Sequence, residues 1–222
     1  MRGDRPARLI AALVVALAGA GCEPDVTTSA EASTAVRASY AWMEEAELCP
    51  ADVMSVDMRV NGLEERSCAD AGLPACFHRC RKGDVDSCFW LANTLERADR
   101  EDAAVQALYQ RACTLGEPSG CTNRAARMFL GQRRDAGVMK CAARTFERTC
   151  GLQDAWGCAM LGNALHEGTG VPRDEARALE VLANACHGTD DATPPCVAAR
   201  QLVEVIRQSA AGGPGIAIHE SK

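Results

Sequence analysis

The most constraining feature of the sequence is a spacing between cysteines that recurs along the chain. Four pairs of cysteines are eight residues apart, and a fifth pair is ten residues apart. The pairs are Cys68 and Cys76, Cys80 and Cys88, Cys113 and Cys121, Cys150 and Cys158, and Cys186 and Cys196. The steps between the equivalent cysteines at 80, 113, 150 and 186 are 33, 37 and 36 residues. A period in this range is typical of a solenoid of helix pairs.

The segments between the cysteine pairs have helical periodicity. Each second helix, aligned on its terminal cysteine, has a large apolar residue four positions earlier, namely Tyr109, Phe146 or Leu182. Each first helix has a small residue four positions after its cysteine, namely Ala92, Ala125 or Gly162. Small residues at a fixed position allow two helices to approach closely. The pattern predicts three helix pairs, 85–97 with 101–113, 118–131 with 135–150, and 154–167 with 173–187.

Further helices are predicted outside these three repeats. Apolar periodicity favours a short helix at 36–48, a stub of helix at 75–81 and a last helix at 195–209. The last helix would cap the open end of the array, which a solenoid requires. Residues 51–65 have no clear pattern, and we assign them no structural type.

The third repeat carries a resemblance to a known family. Its residues Leu161-Gly162-x-x-Leu165-x-x-Gly168-x-Gly170-Val171-x-x-Asp174, followed by Ala178 and Ala185-Cys186, resemble the Sel-one-like repeat, a relative of the tetratricopeptide repeat. The cysteines eight apart resemble the secreted, cysteine-rich subgroup of that family. The resemblance covers about residues 76–200, but 97–102 and 131–137 replace the Gly-x-Gly loop in repeats one and two. It implies an all-α solenoid and an adaptor role, although some cysteine-rich relatives carry a β-lactamase or penicillin-binding label.

The spacing of the cysteines also predicts how they pair. In each pair the first cysteine ends one helix and the second lies early in the next. Antiparallel helices pack about 8–10 Å apart, so inward-facing side chains at the turn can reach bridging distance. We therefore expect five local disulfides that staple the array. Cys49 and Cys141 are left over, and we hypothesise that they form a sixth bridge, which would clamp the N-terminal region onto repeat two.

Metal binding is the alternative role for these cysteines. The nearest approach to a ligand set is Cys76 and Cys80 with His78 between them. A structural zinc site needs a compact set of four ligands, and the sequence has no such set. The simpler interpretation is that the two cysteines belong to different bridges. We expect no metal and no cofactor.

The N-terminus predicts export. Residues 1–21 have a positive region with Arg2, Arg5 and Arg8, followed by an apolar run too short to span a bilayer permanently. Cleavage after Ala20 would give a secreted protein. Cleavage before Cys22 would give a lipoprotein, because Ala18 to Cys22 resembles a bacterial lipobox, although Gly19 stands where leucine is usual. The count of thirteen cysteines favours lipidation, since removing Cys22 leaves twelve to pair.

These observations divide the chain into five regions. We predict a signal peptide at 1–21, a lipid anchor and flexible tether at 22–35, and an N-terminal cap region at 36–75. The repeat array with its capping helix follows at 76–210, and a loose tail at 211–222. The expected location is the bacterial cell envelope, as an outer-membrane lipoprotein facing the periplasm or the surface.

The composition indicates binding rather than catalysis. The net charge is −6, and it is −8 without residues 1–21, so a nucleic-acid partner is not expected. No serine has a lysine three residues later, as a serine β-lactamase requires, and the four histidines are scattered. We expect a monomer that binds an unknown protein or peptide on exposed positions of the first helices: Asn93, Glu96, Arg124, Arg127, Asn163 and His166. The alternatives are β-lactam hydrolysis or binding, and a structural envelope protein without a ligand.

Overall fold

The structure is an array of helices, and it is a computed structural model that describes residues 26–59, 68, 72–188 and 190–210. These ranges contain helices and no strand. The helices are α1 Ser29–Arg37, α2 Tyr40–Ala46, α3 Pro50–Val53, α4 Gly72–Arg81, α5 Val85–Ala98, α6 Ala103–Thr114, α7 Pro118–Leu130, α8 Ala136–Gly151, α9 Ala155–Glu167, α10 Glu175–Asn184 and α11 Pro194–Ala210. The predicted signal peptide, Cys22 and the predicted tail at 211–222 lie outside the described residues.

Helices α5 to α10 form the three predicted pairs. Each helix from α4 to α10 packs against the next along the chain, α7 also packs against α9, and α11 packs back onto α9. The helix pairs α5–α6, α7–α8 and α9–α10 correspond to repeats one to three, with boundaries a few residues from those predicted. The predicted fold class, an all-α array of helix pairs, is therefore confirmed for the described part of the chain.

The turns that precede helices α5, α7 and α9 share one arrangement. A residue with positive φ ends the helix turn, and an acidic residue then caps the next helix by accepting a hydrogen bond from a backbone N–H. The positive-φ residues are Gly83, Gly116 and Gln153, and the acidic caps are Asp84, Glu117 and Asp154. Asp and Glu suit this position because the first turn of a helix favours negative charge.

A disulfide spans each of these turns. The Cα atoms of Cys80 and Cys88 are 4.6 Å apart, those of Cys113 and Cys121 are 4.5 Å apart, and those of Cys150 and Cys158 are 4.4 Å apart. The pairs Cys68–Cys76 and Cys186–Cys196 have Cα distances of 5.1 and 4.6 Å. Cys49 and Cys141 form the sixth pair, at 5.8 Å. These are the six pairs proposed from the sequence, and Cys76 and Cys80 belong to different bridges.

The periodic residues form the core of the array. Tyr109, Phe146 and Leu182 hold equivalent places in the three second helices, and each is at most 1% exposed. Each such residue contributes roughly 1.5–3 kcal/mol through burial of apolar surface. A Cβ atom built on Gly162 would lie 2.5 Å from the side chain of Leu182, so a small residue at this position allows α9 and α10 to meet.

Residues 26–59, which we call the N-terminal strap, lie along the array. Helix α1 packs against α5 and α6, α2 packs against α6, and α3 packs against α8, α6 and α7. The predicted flexible tether at 22–35 is therefore wrong from Ser29 onward. Thr28 and Glu31 form a capping box that starts α1, and Val26, Ala32 and Val36 are buried. The apolar face of this segment is the physical reason that it folds against the repeats.

Two other N-terminal predictions need correction. The single helix predicted at 36–48 is two helices, with a break at Ala38 and Ser39 between α1 and α2. The region predicted as a cap at 36–75 also contains the start of α4, which begins at Gly72. The strap contacts repeats one and two along their length, so it is more than an end cap.

Gln153 provides a test of the turn design, since it is the one described residue other than glycine with positive φ. Replacing Gln153 with glycine should raise the free energy of unfolding by about 1 kcal/mol, because glycine adopts this conformation without steric cost. Chemical denaturation of the oxidised protein measures the change. The matched control is Gly116→Gln, which should destabilise, because a Cβ there would lie 2.9 Å from the carbonyl oxygen of Asp57. A less stable Gln153→Gly variant would contradict this account of the turn.

Candidate partner-binding pocket

A cavity of about 330 Å³ opens between the N-terminal strap and repeat two. We call it the strap pocket. The strap contributes Glu47, and the loop between α5 and α6 contributes Glu101. Helix α7, the turn after it and the start of α8 contribute the remaining wall, chiefly Arg124, Arg127, Met128, Arg133 and Val138. Two of the residues predicted as partner surface, Arg124 and Arg127, are therefore in the wall of one pocket.

Helix α7 positions these two arginines through its amphipathic pattern. Residues 124 and 127 are three apart, so their side chains lie on one face of the helix. Ala125 and Phe129, on the opposite face, are buried in the core. The helix begins at Pro118 after its acidic cap Glu117, and this fixed start sets the direction of both arginines.

Arg127 is held at the side of the pocket by acidic partners. Its guanidinium pairs with the carboxylate of Glu96, and its Nη1 atom is 3.7 Å from a carboxylate oxygen of Glu101. The hydroxyl of Tyr109 donates to the other oxygen of Glu96 at 2.7 Å, and Asn93 is also in hydrogen-bond contact with this tyrosine. Burial raises the pKa of Glu96, but the hydrogen bonds from Tyr109 and Arg127 outweigh it and lower the pKa overall. The charge of Arg127 is thus already matched within the fold.

Arg124 is held less completely. One of its terminal nitrogens, Nη2, donates to the backbone carbonyl of Ala46 in the strap at 2.7 Å. Its Nε atom is buried and has no hydrogen-bond partner among the described residues. Burial lowers the pKa of this arginine, and the carboxylate of Glu47 partly offsets that effect. Arg124 therefore lines the pocket without a close ion pair to any described carboxylate, and its buried Nε atom is unpaired.

Arg133 adds a second unpaired cation at the rim. It lies on the exposed turn between α7 and α8, and it has no ion pair with any residue that the structure describes. Next to it, Met128 and Val138 are half-buried and give the pocket an apolar wall. The pocket thus combines two guanidinium groups that lack carboxylate partners with a small apolar surface.

The strap wall of the pocket is fastened to helix α8. The Cys49–Cys141 bridge joins the two directly, and the thioether of Met128 lies 3.9 Å from the sulfur of Cys141. Arg144 of α8 pairs with Asp52 at 2.7 Å, and the hydroxyl of Thr145 accepts a hydrogen bond from the backbone N–H of Ala51 at 3.2 Å. These contacts place Ala46 and Glu47 beside α7. The pocket depends on the strap, which the sequence left without a defined structure beyond residue 50.

The other residues predicted as partner surface lie elsewhere or inside contacts. All six were expected to be exposed, and the structure places all six in half-buried positions. Asn163 and His166 are on α9. The Nδ2 atom of Asn163 lies 3.4 Å from a carboxylate oxygen of Glu167, and the Nδ1 atom of His166 lies 3.5 Å from a carboxylate oxygen of Glu175. The side chains of Glu96 and Asn93 form hydrogen bonds with the buried Tyr109 and do not form a free surface. The expectation of exposure is wrong because the neighbouring loops and the strap cover these helix faces.

Sequence reasoning missed the residues that complete the pocket. Arg133 lies in the loop 131–137, which replaces the family's Gly-x-Gly turn. An arginine in such a loop was an available signal of a binding residue. Glu47 carried no such signal, because its place depends on how the strap folds back over 92 residues of sequence to reach Cys141.

The structure supplies no other kind of centre within the described ranges. No group of three or more His, Cys, Asp or Glu side chains there could hold a metal ion. No helix in those ranges is long and apolar enough to cross a membrane. A groove of about 520 Å³ between α10 and α11 is larger, but its wall includes the apolar Leu179, Leu182 and Val203 and it has no unpaired buried donor.

Comparison with known proteins gives one likeness. No protein-family model matches the sequence, and no curated protein is similar enough to match it. Among solved structures, the chain is similar to the Sel1 repeat protein from Oxalobacter formigenes, with 19% sequence identity and a TM-score of 0.45. The alignment covers 58% of this chain and 94% of that one. That protein has the name of the repeat that residues 161–186 resemble. The helix pairs of this chain are defined by its own contacts.

Removing the Cys49–Cys141 bridge should lower the stability of the protein and reduce the protection of the strap from hydrogen exchange. Replacing Cys49 and Cys141 together with serine should lower the free energy of unfolding by about 2–4 kcal/mol, because the bridge closes a long loop. Hydrogen exchange should then show lost protection at 26–59. The control pair, Cys186→Ser with Cys196→Ser, lies at the far end of the array and should leave the strap protected. Equal protection of the strap in all variants would contradict its dependence on this bridge.

Proposed function

We propose that the protein is an exported, lipid-anchored repeat scaffold that binds a protein or peptide partner in the strap pocket. The observation that carries this proposal is the pair of guanidinium groups of Arg124 and Arg133, which line an open cavity and have no ion pair with a described carboxylate. Guanidinium groups form strong, charge-assisted hydrogen bonds with anionic acceptors. A ligand that supplies such an acceptor would satisfy them, so the pocket is suited to an occupant.

The residues around the pocket favour binding over catalysis. The described side chains of its wall are arginine, glutamate, glutamine, methionine and valine, with one glycine. They include no serine, cysteine, histidine or lysine that could act as a nucleophile or as a base near neutral pH. Both glutamates are exposed to water. We therefore favour partner binding over hydrolysis of a β-lactam.

The proposed location depends on the N-terminal sequence. The positive region, the apolar run and the Gly21-Cys22 junction support export and lipidation at Cys22, and an anchored protein would meet its partner in the cell envelope. The short segment from Glu23 to Thr28 would link the lipid to α1. We propose that the anchored protein acts as a monomer.

Site-specific photo-crosslinking in cells that make the protein tests this function. A photoreactive amino acid at Gln132, which is exposed beside the pocket, should give a discrete crosslinked species with a partner protein. The matched control is the same amino acid at Glu180, which is exposed on α10 away from the pocket. Mass spectrometry of the adduct should map the crosslink to the turn after α7. Equal labelling at both positions, or none at either, would contradict a partner site at the strap pocket.

A further inference from the structure

Some arginines of the strap pocket have a carboxylate partner and others do not. Three guanidinium groups and two carboxylates form its wall. Arg127 is satisfied by Glu96 behind it and by Glu101 at 3.7 Å. Arg124 and Arg133 have no ion pair with a described carboxylate. The two carboxylates of the wall are open to water, since Glu47 is exposed and the side chain of Glu101 is 83% exposed.

We propose that the strap pocket recognises a single carboxylate of the partner peptide, a proposal that rests on the proposed function above. Arg124 would donate from its guanidinium group in the pocket wall, and Arg133 would close over the carboxylate from the rim. Guanidinium groups bind carboxylates with short, charge-assisted hydrogen bonds, often two at once, which gives both strength and direction. The carboxylate partner that Arg124 and Arg133 lack within the fold is thus supplied by the ligand.

The carboxylates at the rim restrict which acidic ligand can enter. Glu47 and Glu101 belong to the same pocket wall as the arginines, so a second negative charge on the ligand would be repelled by them. The whole chain carries a charge of −6, and this also repels strongly acidic partners at a distance. The structure therefore fits one carboxylate in a neutral or basic segment better than an acidic run or a phosphate group with nearly two charges.

The apolar wall adds a second requirement. Met128 and Val138 line the pocket beside the arginines, and methionine adapts to ligands of irregular shape. An aliphatic residue adjacent to the carboxylate would cover this wall. The expected motif is thus one acidic residue, or the C-terminal carboxylate, next to an aliphatic residue.

Degenerate peptide libraries test this chemistry without knowledge of the partner. The first library has glutamate next to leucine at fixed central positions and an amidated C-terminus. A second has glutamine for glutamate, a third has glutamine but a free C-terminal carboxylate after leucine, and a fourth has phosphoserine for glutamate. All flanking positions are drawn from neutral and basic residues. Binding to the oxidised protein is measured by fluorescence anisotropy of labelled peptides at low and moderate salt.

The proposal expects the first or the third library to bind about tenfold more tightly than the second. The first library responding would identify a side-chain carboxylate, and the third a C-terminal one. Equal binding of the first, second and third libraries would overturn the carboxylate proposal while leaving peptide binding in place. Tighter binding of the phosphoserine library would overturn it in favour of phosphate. No binding by any library would overturn the carboxylate proposal and would also count against the proposed function.

Two variants of pocket arginines and one control variant test whether the preference for carboxylate depends on the strap pocket. Arg133→Gln should abolish the preference for the carboxylate library, because it removes the rim cation. The matched control is Arg134→Gln, which removes the same charge from the neighbouring residue, whose guanidinium lies over Phe129 and is not part of the pocket wall. Arg124→Lys keeps the charge but lacks the planar guanidinium group, and it should weaken binding of the carboxylate library. If both glutamine variants lost the preference equally, the effect would be general electrostatics and the proposal would fail.

Discussion

The close approach of helices at each turn between repeats is the constraint on which the rest of the structure depends. Bridged cysteines at these turns have Cα atoms 4.4–4.6 Å apart, so the two helices meet almost at contact. Only small residues fit beside them: a Cβ atom on Gly120 would lie 2.9 Å from Ala112 of the preceding helix. Each junction is local, so stability accumulates from one neighbour to the next along the array.

The repeats could be predicted from the sequence because their signals are local. The spacing of cysteines, the buried residue four positions before the first cysteine of each bridge and the turn residues all lie within a few positions of the contact they specify. The strap was harder to predict, because many of its partners are distant in sequence: Arg37 and Asp102 are 65 residues apart, and Ala51 and Arg148 are 97 residues apart. The capping box at Thr28 and Glu31 was a readable signal for α1, and its oversight led to the wrong tether.

Arginine side chains link the strap to the repeats and also create the candidate site. The guanidinium of Arg111 lies 4.7 Å from the ring centre of Trp42, Arg144 pairs with Asp52, and Arg124 donates to the carbonyl of Ala46. Such contacts leave part of a guanidinium unused, because it has five donors in a fixed geometry. The guanidinium group of Arg124 lines the pocket, so the same side chain that holds the strap also contributes to the candidate site. The first-helix arginines were identified from the sequence, whereas the pocket exists only through the folded strap.

Local bridges hold the array, and one long-range bridge holds the strap. Mass spectrometry of the unreduced protein, digested with a protease of low specificity, tests this arrangement most directly. Each link within the repeat array should span a single turn, as Cys80 joins Cys88 and Cys150 joins Cys158, and Cys49 should be linked to Cys141. A link between repeats such as Cys80 to Cys158, or Cys49 and Cys141 recovered as free thiols, would contradict it.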